Sequence, residues 1–411
     1  MLLASAAAHA DQPDNMMQPF QFKLSGFQNL VTGGDVASPG SGGVGLSESE
    51  LEATPQYHTA SGTIFALRSA FNLQAFTSRS NSAWQLAVPE TSLFGIGSFG
   101  RIEIGQRSGF PQSLVGFTPS QIAFTAAEFG PDSGLRLDPD GRLPTTFLPS
   151  GLAARINDLT YLGYAARFYD DESAKLIYVT PRSRSGLYGA ISFAPHTEHP
   201  GGFRITGSDQ PSGSDAANAL SDPQSFRDIV QAAAVWNYRS EKLDLSSGLT
   251  YSHAQGAGID QPVAALRHSD SLSAGVSATF YDTWTLGLSG TYDGFSAYRN
   301  NTNGSSPATT PYGVVASLNY VNGPWIAGGY YQHANAESRT LEAGRDTVDI
   351  GELGVSYLVG KNHDLLGDRF YTDVRLFASA YYYRFHGSEP PQGGGAAHGA
   401  VLMVGGRFSF F

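Results

Sequence analysis

From Val230 onward, apolar side chains return at every second residue. Val230, Ala232, Ala234, Trp236 and Tyr238 share one parity, and Gln231, Asn237 and Arg239 take the other. The pattern recurs with Leu243, Leu245, Leu249 and Tyr251, then with Leu272, Val276 and Phe280. It continues through Trp284, Leu286, Leu288 and Tyr292, through Tyr312, Val314, Leu318 and Tyr320, and through Trp325, Ala327 and Tyr331. Period two belongs to extended strands with unlike faces. The connections alternate too. SEKLD, YDT and NGP are short, whereas 195–225, 255–267, 296–310, 336–346 and 387–399 are long and polar. Tight turns at one end and long loops at the other are the anatomy of a transmembrane β-barrel. A soluble sandwich has no reason for such alternation.

Composition favours the same class. No run of about 18 apolar residues is present, which excludes a spanning helix. Charged residues make up 15% of the chain, against about 25% in ordinary soluble proteins. The 49 glycines, 20 tyrosines and 25 phenylalanines are those of a barrel with aromatic girdles. Trp236, Tyr238, Trp284 and Trp325 sit near strand ends, where girdles lie. The net charge of −11 argues against a nucleic-acid partner, and without cysteine there is no disulfide to form.

The expected fold is therefore all-β, a transmembrane antiparallel barrel of about 16 strands. Segments fall near 20–30, 48–60, 63–76, 83–96, 100–107, 174–181, 186–194, 226–239, 242–254, 269–281, 284–295, 311–321, 324–335, 346–359, 370–386 and 400–411. An even count brings both ends to one side, and about 16 strands enclose an aqueous channel. In DTVDIGELGVSYLVG the apolar parity switches between Ile350 and Leu353, which predicts a bulge at Gly351 or Glu352. The last strand, AVLMVGGRFSFF, places Leu402, Val404, Phe408 and Phe410 on one face, with Phe411 one step beyond. It is expected to pair with FQFKLSGFQ and close the barrel. At the other end, MLLASAAAHADQ reads as the tail of a secretory signal, with Ala8-His9-Ala10 before Asp11. Residues 1–10 are thus expected to be removed, leaving 11–411 as a single barrel domain.

One connection, about 108–173, is far longer than the rest. Unstructured connections beyond ~15 residues are uncommon and usually functional. Its apolar content would be partly buried if it folded back into the barrel mouth, and 159–169 could form a hairpin or short helix. Three motifs are weaker. GIGSFG matches a dinucleotide-binding glycine pattern, but a strand follows where a helix is needed, so a tight turn explains it. HTEH (His196, Glu198, His199) reads as a solvated loop. DPDG (Asp138, Asp140) could hold a structural calcium ion but reads first as a plain turn. Nothing marks a catalytic residue, another metal or a cofactor.

GSFGRIEIGQRSG, the long connection, AKLIYVTPRSRSGLYGAISFAP and the terminal VGGRFSF together resemble the Gram-negative general porin family. The first stretch resembles the family's fifth strand, the second its sixth and seventh, and the third its closing signal. Two features depart from the family: Phe411 follows the last in-register aromatic, and the connection is longer than usual. The resemblance implies a homotrimer in the outer membrane, lipid contact and insertion by the barrel-assembly machinery. It also implies passive diffusion of small hydrophilic solutes and ions past a loop folded into the pore. A porin selective for sugars, phosphate or organic acids is the alternative; a barrel enzyme or adhesin is a further one. Strand parity puts Lys23, Arg68, Arg101 and Arg107 on the lumen side as a basic wall. If the loop folds inward, as the resemblance implies, Glu128, Asp132, Asp138, Asp140, Asp170, Asp171 and Glu172 supply the acids facing that wall.

Overall fold

The computed structural model describes residues 19–36, 44–77, 82–107, 148, 152, 156, 159–163, 166–168, 173–196, 204–208, 226–256, 266–294, 296–298, 310–337, 345–362, 372–387 and 396–410. Its strands are β1 (Phe20–Asp35), β2 (Val44–His58), β3 (Ile64–Thr77), β4 (Ser82–Gly97), β5 (Gly100–Gln106), β6 (Ala174–Val179), β7 (Leu187–His196), β8 (Arg204–Ser208) and β9 (Phe226–Arg239). They continue with β10 (Leu243–Gly256), β11 (Leu266–Phe280), β12 (Trp284–Tyr292), β13 (Ala297–Tyr298), β14 (Tyr312–Asn322), β15 (Trp325–Glu337), β16 (Arg345–Asn362), β17 (Thr372–His386) and β18 (Ala396–Phe410).

All except β8 and β13 form a closed 16-strand antiparallel barrel. The seam joins β1 to β18, from Gly26↔Phe410 to Asp35↔Val401. Closure pairs each of the sixteen barrel strands on both sides. A side-chain bond ties the seam from within. The Tyr383 hydroxyl on β17 passes over Gly399, where a Cβ would lie 2.5 Å from it, and donates to Asp35 at 2.8 Å. The two short strands are additions that periodicity did not reveal. β5 ends at Gln106, where the chain departs into the long connection, and β8 covers the part of β4 beyond it, pairing with Ala83–Ala87. β13 does the same beside β11.

Parity sorts the side chains. On β14, Tyr312, Val314 and Leu318 are exposed outward while Val315, Ser317 and Asn319 are buried inward. The same alternation runs through β9, β12 and β18. Outward aromatics collect at the short-turn end. Trp284 packs on Tyr320 with centroids 4.5 Å apart, and Trp325 on Tyr357 at 4.6 Å. Tyr251, Tyr292, Tyr312 and Tyr331 lie outward toward the other end. Two aromatic rings around an apolar band are what a barrel needs to span a bilayer.

Two parity details differ from expectation. β16 has no bulge at Gly351 or Glu352: its pairing with β15 and β17 is continuous there, and the register slips at Leu358–Gly360 instead. The parity never switches. Val348 and Ile350 are apolar residues on the inward face, fully buried in a cluster inside the barrel. A real bulge lies in β4. Ala70 pairs with Glu90 but Asn72 pairs with Ala87, so β4 carries one extra residue at Val88–Pro89. Proline has no N–H to offer a ladder, and a bulge is where a strand tolerates it. The consequence is a reversal of faces: Trp84 is exposed outward, and Glu90, of the same parity, is buried inward.

The glycines of GIGSFG form the β4–β5 hairpin, Gly97 pairing with Gly100 across Ser98–Phe99. Gly100 has φ +100°, and a Cβ there would sit 2.1 Å from the Val179 carbonyl oxygen. Only glycine fits that turn.

Candidate pore lining

β2 to β6 turn charged side chains inward at close quarters. Arg68 on β3 lies 2.8 Å from Glu52 on β2 and 3.2 Å from Glu90 on β4. The Glu90 carboxylate is shared, because Arg107 Nη1 donates to it at 2.8 Å. Arg107 Nε in turn lies 3.3 Å from Glu103, which also takes Arg101 at 2.7 Å and the Ser92 hydroxyl. Arg101 stacks its guanidinium on the Phe94 ring, 4.1 Å from the centroid. Beside this chain, Asn72 donates to Glu48 at 3.1 Å, and Lys175 donates to the Arg107 carbonyl at 2.9 Å. Alternating signs give each buried charge opposite neighbours, which offsets part of its desolvation cost.

The three arginines thus come together, but the wall is not basic. Glu48, Glu50, Glu52, Glu90 and Glu103 line it with Arg68, Arg101, Arg107 and Lys175. Lys23 has the inward parity yet is exposed near the start of β1, opposite Thr54, and among the described residues no ion pair joins it to this patch. Glu103 was legible in the sequence, two residues from Arg101 and four from Arg107 on one strand face. Glu90 was hidden by the bulge, which reverses the parity by which it would be read.

Farther round the lumen, β14 to β18 and β1 carry an apolar cluster among their inward residues. Leu152, Ile156 and Leu159 of the long connection are helical. With Leu148 and Leu162 they pack against inward residues that include Val315, Tyr330, Val348, Ile350 and Tyr381. Val401 and Met403 of β18 join the same cluster. Gln332 on β15 donates its Nε2 to the carbonyls of Thr160, 2.9 Å, and Leu162, 2.7 Å. Further along, Asp293 accepts from Tyr161 Oη at 2.6 Å, from Arg167 Nε at 3.4 Å and from the Ser271 hydroxyl. The Arg167 backbone N–H donates to Ser271 Oγ at 2.9 Å. Gln231 donates to the Phe168 carbonyl at 3.0 Å, and the Phe168 and Phe226 rings meet at 4.9 Å. The described residues of the connection therefore run along the inner wall from β15 past β12, β11 and β9. Among the described residues of 159–169, Leu159 and Thr160 are helical, as the short-helix alternative expects, and a turn follows at Tyr161–Gly163.

Several expected positions fall outside the described residues: residues 1–10, the acids Glu128, Asp132, Asp138, Asp140, Asp170, Asp171 and Glu172, the Glu198–His199 pair, and Phe411. His196 is the exposed last residue of β7. On the closing strand, Phe408 is exposed outward and Phe410 is half-buried on the same face, while Arg407 and Ser409 are buried inward.

A closed barrel with an apolar, aromatic-ringed exterior and ion pairs along its inner wall defines a membrane-spanning pore protein. The sequence matches the Gram-negative porin model over residues 1–375. The chain belongs to the Gram-negative porin family. No curated relative matches it. Among solved structures, OmpT of Vibrio cholerae, folded in vitro and in trimer form, aligns with 95% of this chain and 99% of its own, at 12% identity and TM-score 0.51. A porin refined at 1.8 Å aligns at 17% identity and TM-score 0.46, and a triple mutant of Rhodopseudomonas blastica porin at 14% and 0.42. Each of these two covers 95% of this chain and 100% of its own.

Proposed function

We propose that this porin forms a water-filled channel in the outer membrane for passive diffusion of small hydrophilic solutes and ions. The observation that carries the reading is the chain of inward ion pairs from Glu52 through Arg68, Glu90 and Arg107 to Glu103 and Arg101. Charges of both signs gathered along one wall, with an apolar cluster partly covered by the long connection farther round the lumen, make an asymmetric field across it. Such a field orients dipolar solutes and biases ions, as charged rings do in other channels. The work is transport, with no bond made or broken. We assign the mature chain a start at Asp11, insertion by the barrel-assembly machinery and assembly as a homotrimer, the state in which the V. cholerae OmpT structure was obtained.

The test is single-channel recording in a planar bilayer under a salt gradient. The purified protein is expected to conduct in defined steps. Exchanging Arg68 and Arg101 for Glu should move the reversal potential toward cation selectivity in correctly folded channels. An unchanged reversal potential would place the constriction elsewhere, and no conductance from folded protein would remove the channel reading.

A further inference from the structure

We infer that His253, His268 and Asp270 form a binding site for a divalent first-row transition ion, with Zn2+ the natural occupant, on the outer surface of the barrel.

The site follows from strand register. His253 on β10 lies directly opposite Asp270 on β11, the arrangement that brings two side chains of one sheet face into contact. His268 is two residues before Asp270, so it points to the same face. That face is the outer one, the face of Tyr251 and Val276, at the end of the barrel that carries the long connections. His253 Nδ1 lies 2.8 Å from Asp270 Oδ1, and His268 Nδ1 lies 2.5 Å from Oδ2. The three donor atoms all lie within 4.8 Å of one another. Ligand atoms of a tetrahedral zinc stand about 3.4 Å apart, given bonds of about 2.1 Å. Small side-chain rotations separate to that spacing what are now hydrogen-bonded contacts.

The donor set selects the ion. Two imidazole nitrogens and one carboxylate oxygen suit zinc, nickel or copper, whereas calcium and magnesium prefer oxygen throughout. The imidazoles are about one-third exposed, 33% and 35%, and the carboxylate 11%, so solvent can reach a fourth position. Asp270 is oriented by the Tyr251 hydroxyl, which donates to Oδ1. Outer partners of this kind fix ligands in metal sites. A carboxylate only accepts, so each neutral imidazole now holds its proton on Nδ1. On binding, that proton shifts to Nε2 and Nδ1 takes the metal.

The barrel contains an incomplete version for comparison. On β15 and β16, Tyr331 and His333 meet Asp349 at 2.7 and 2.8 Å, again on the outer face. There the residue two before the aspartate is Thr347, and Arg384 of β17 stands opposite Asp349 in register. One imidazole is missing and a cation is adjacent, so only the His253 site has the full donor set.

The experiment uses the full-length folded protein in detergent, stripped with chelator and titrated calorimetrically with Zn2+ near neutral pH. Retention of the compact, heat-sensitive electrophoretic form confirms folding of every variant. One ion per chain is expected. His253→Ala and His268→Ala should each weaken binding at least tenfold, Tyr251→Phe by about tenfold, and His333→Ala should leave it unchanged. With Cu2+ as the probe, electron paramagnetic resonance should show coupling to two nitrogens, falling to one in either histidine variant. No uptake at sub-millimolar Zn2+, or uptake unaltered in both the His253 and His268 variants, overturns the assignment. So does copper coupling that neither substitution changes.

Discussion

Gly313 of β14 lies against the backbone of Leu162: a Cβ at Gly313 would sit 2.5 Å from the Leu162 carbonyl carbon. Gly163 completes the contact with φ +119° and its own approach to Val315. Two glycines thus let the long connection touch the wall backbone to backbone. Gly313→Val would force the connection toward the lumen centre, because neither backbone can yield cheaply. The expected result is lower single-channel conductance with normal barrel assembly. Equal conductance would mean that this segment lies outside the conduction path.

Asp293 holds the next stretch. It is buried and accepts from Tyr161, Arg167 and Ser271. Asp293→Ala removes all three bonds at once and leaves their donors to find new partners, at about 1–3 kcal/mol each. Limited proteolysis of folded protein should then cut within the connection at protease levels that spare the parent. Tyr161→Phe, which deletes one bond, should lie between the two.

Glu90 is the shared member of the ion-pair chain. Glu90→Gln keeps the shape but removes the negative charge between Arg68 and Arg107. Selectivity should move toward anions, the opposite direction to the arginine-to-glutamate exchange. Breaking a buried pair costs about 3–5 kcal/mol, so the thermal midpoint should also fall. Unchanged selectivity in folded channels would mean that permeant ions do not sense this wall.

The outer face can be tested by depth. Leu402 is 52% exposed near the middle of β18, and Phe408 lies near its end. Leu402→Arg should cost about 2–4 kcal/mol, against about 0–1 kcal/mol for a charge near the interface. Surface levels should therefore collapse for Leu402→Arg and fall only modestly for Phe408→Arg. Equal losses would argue that β18 is not crossed by lipid at this depth.

Much of this architecture could be read from period two alone, since turns and parity are local properties. What escaped reading depended on contacts between distant segments. Val348 and Ile350 looked like a parity error because a lumen was expected to be polar; they are apolar because Leu152 and Ile156 of a remote connection belong to the same buried cluster. Simple alternation from Trp84 would put Glu90 on the outer face, because one extra residue before it reverses the faces. The histidines of β10 and β11 carry no local signal, since only register brings His253 opposite Asp270.

The seam between β1 and β18 imposes an order in time. Nearly every other pairing joins strands close in sequence and can form as a hairpin while the chain is still being delivered. The seam, and the Tyr383–Asp35 bond across 348 residues that ties it, must wait for the last strand. Until then β1 presents an unsatisfied edge, able to template pairing with another chain. The interval before closure is thus when this protein is most exposed to misassembly. Residues that speed the meeting of its two ends would be valued for kinetics, even where they add little to final stability.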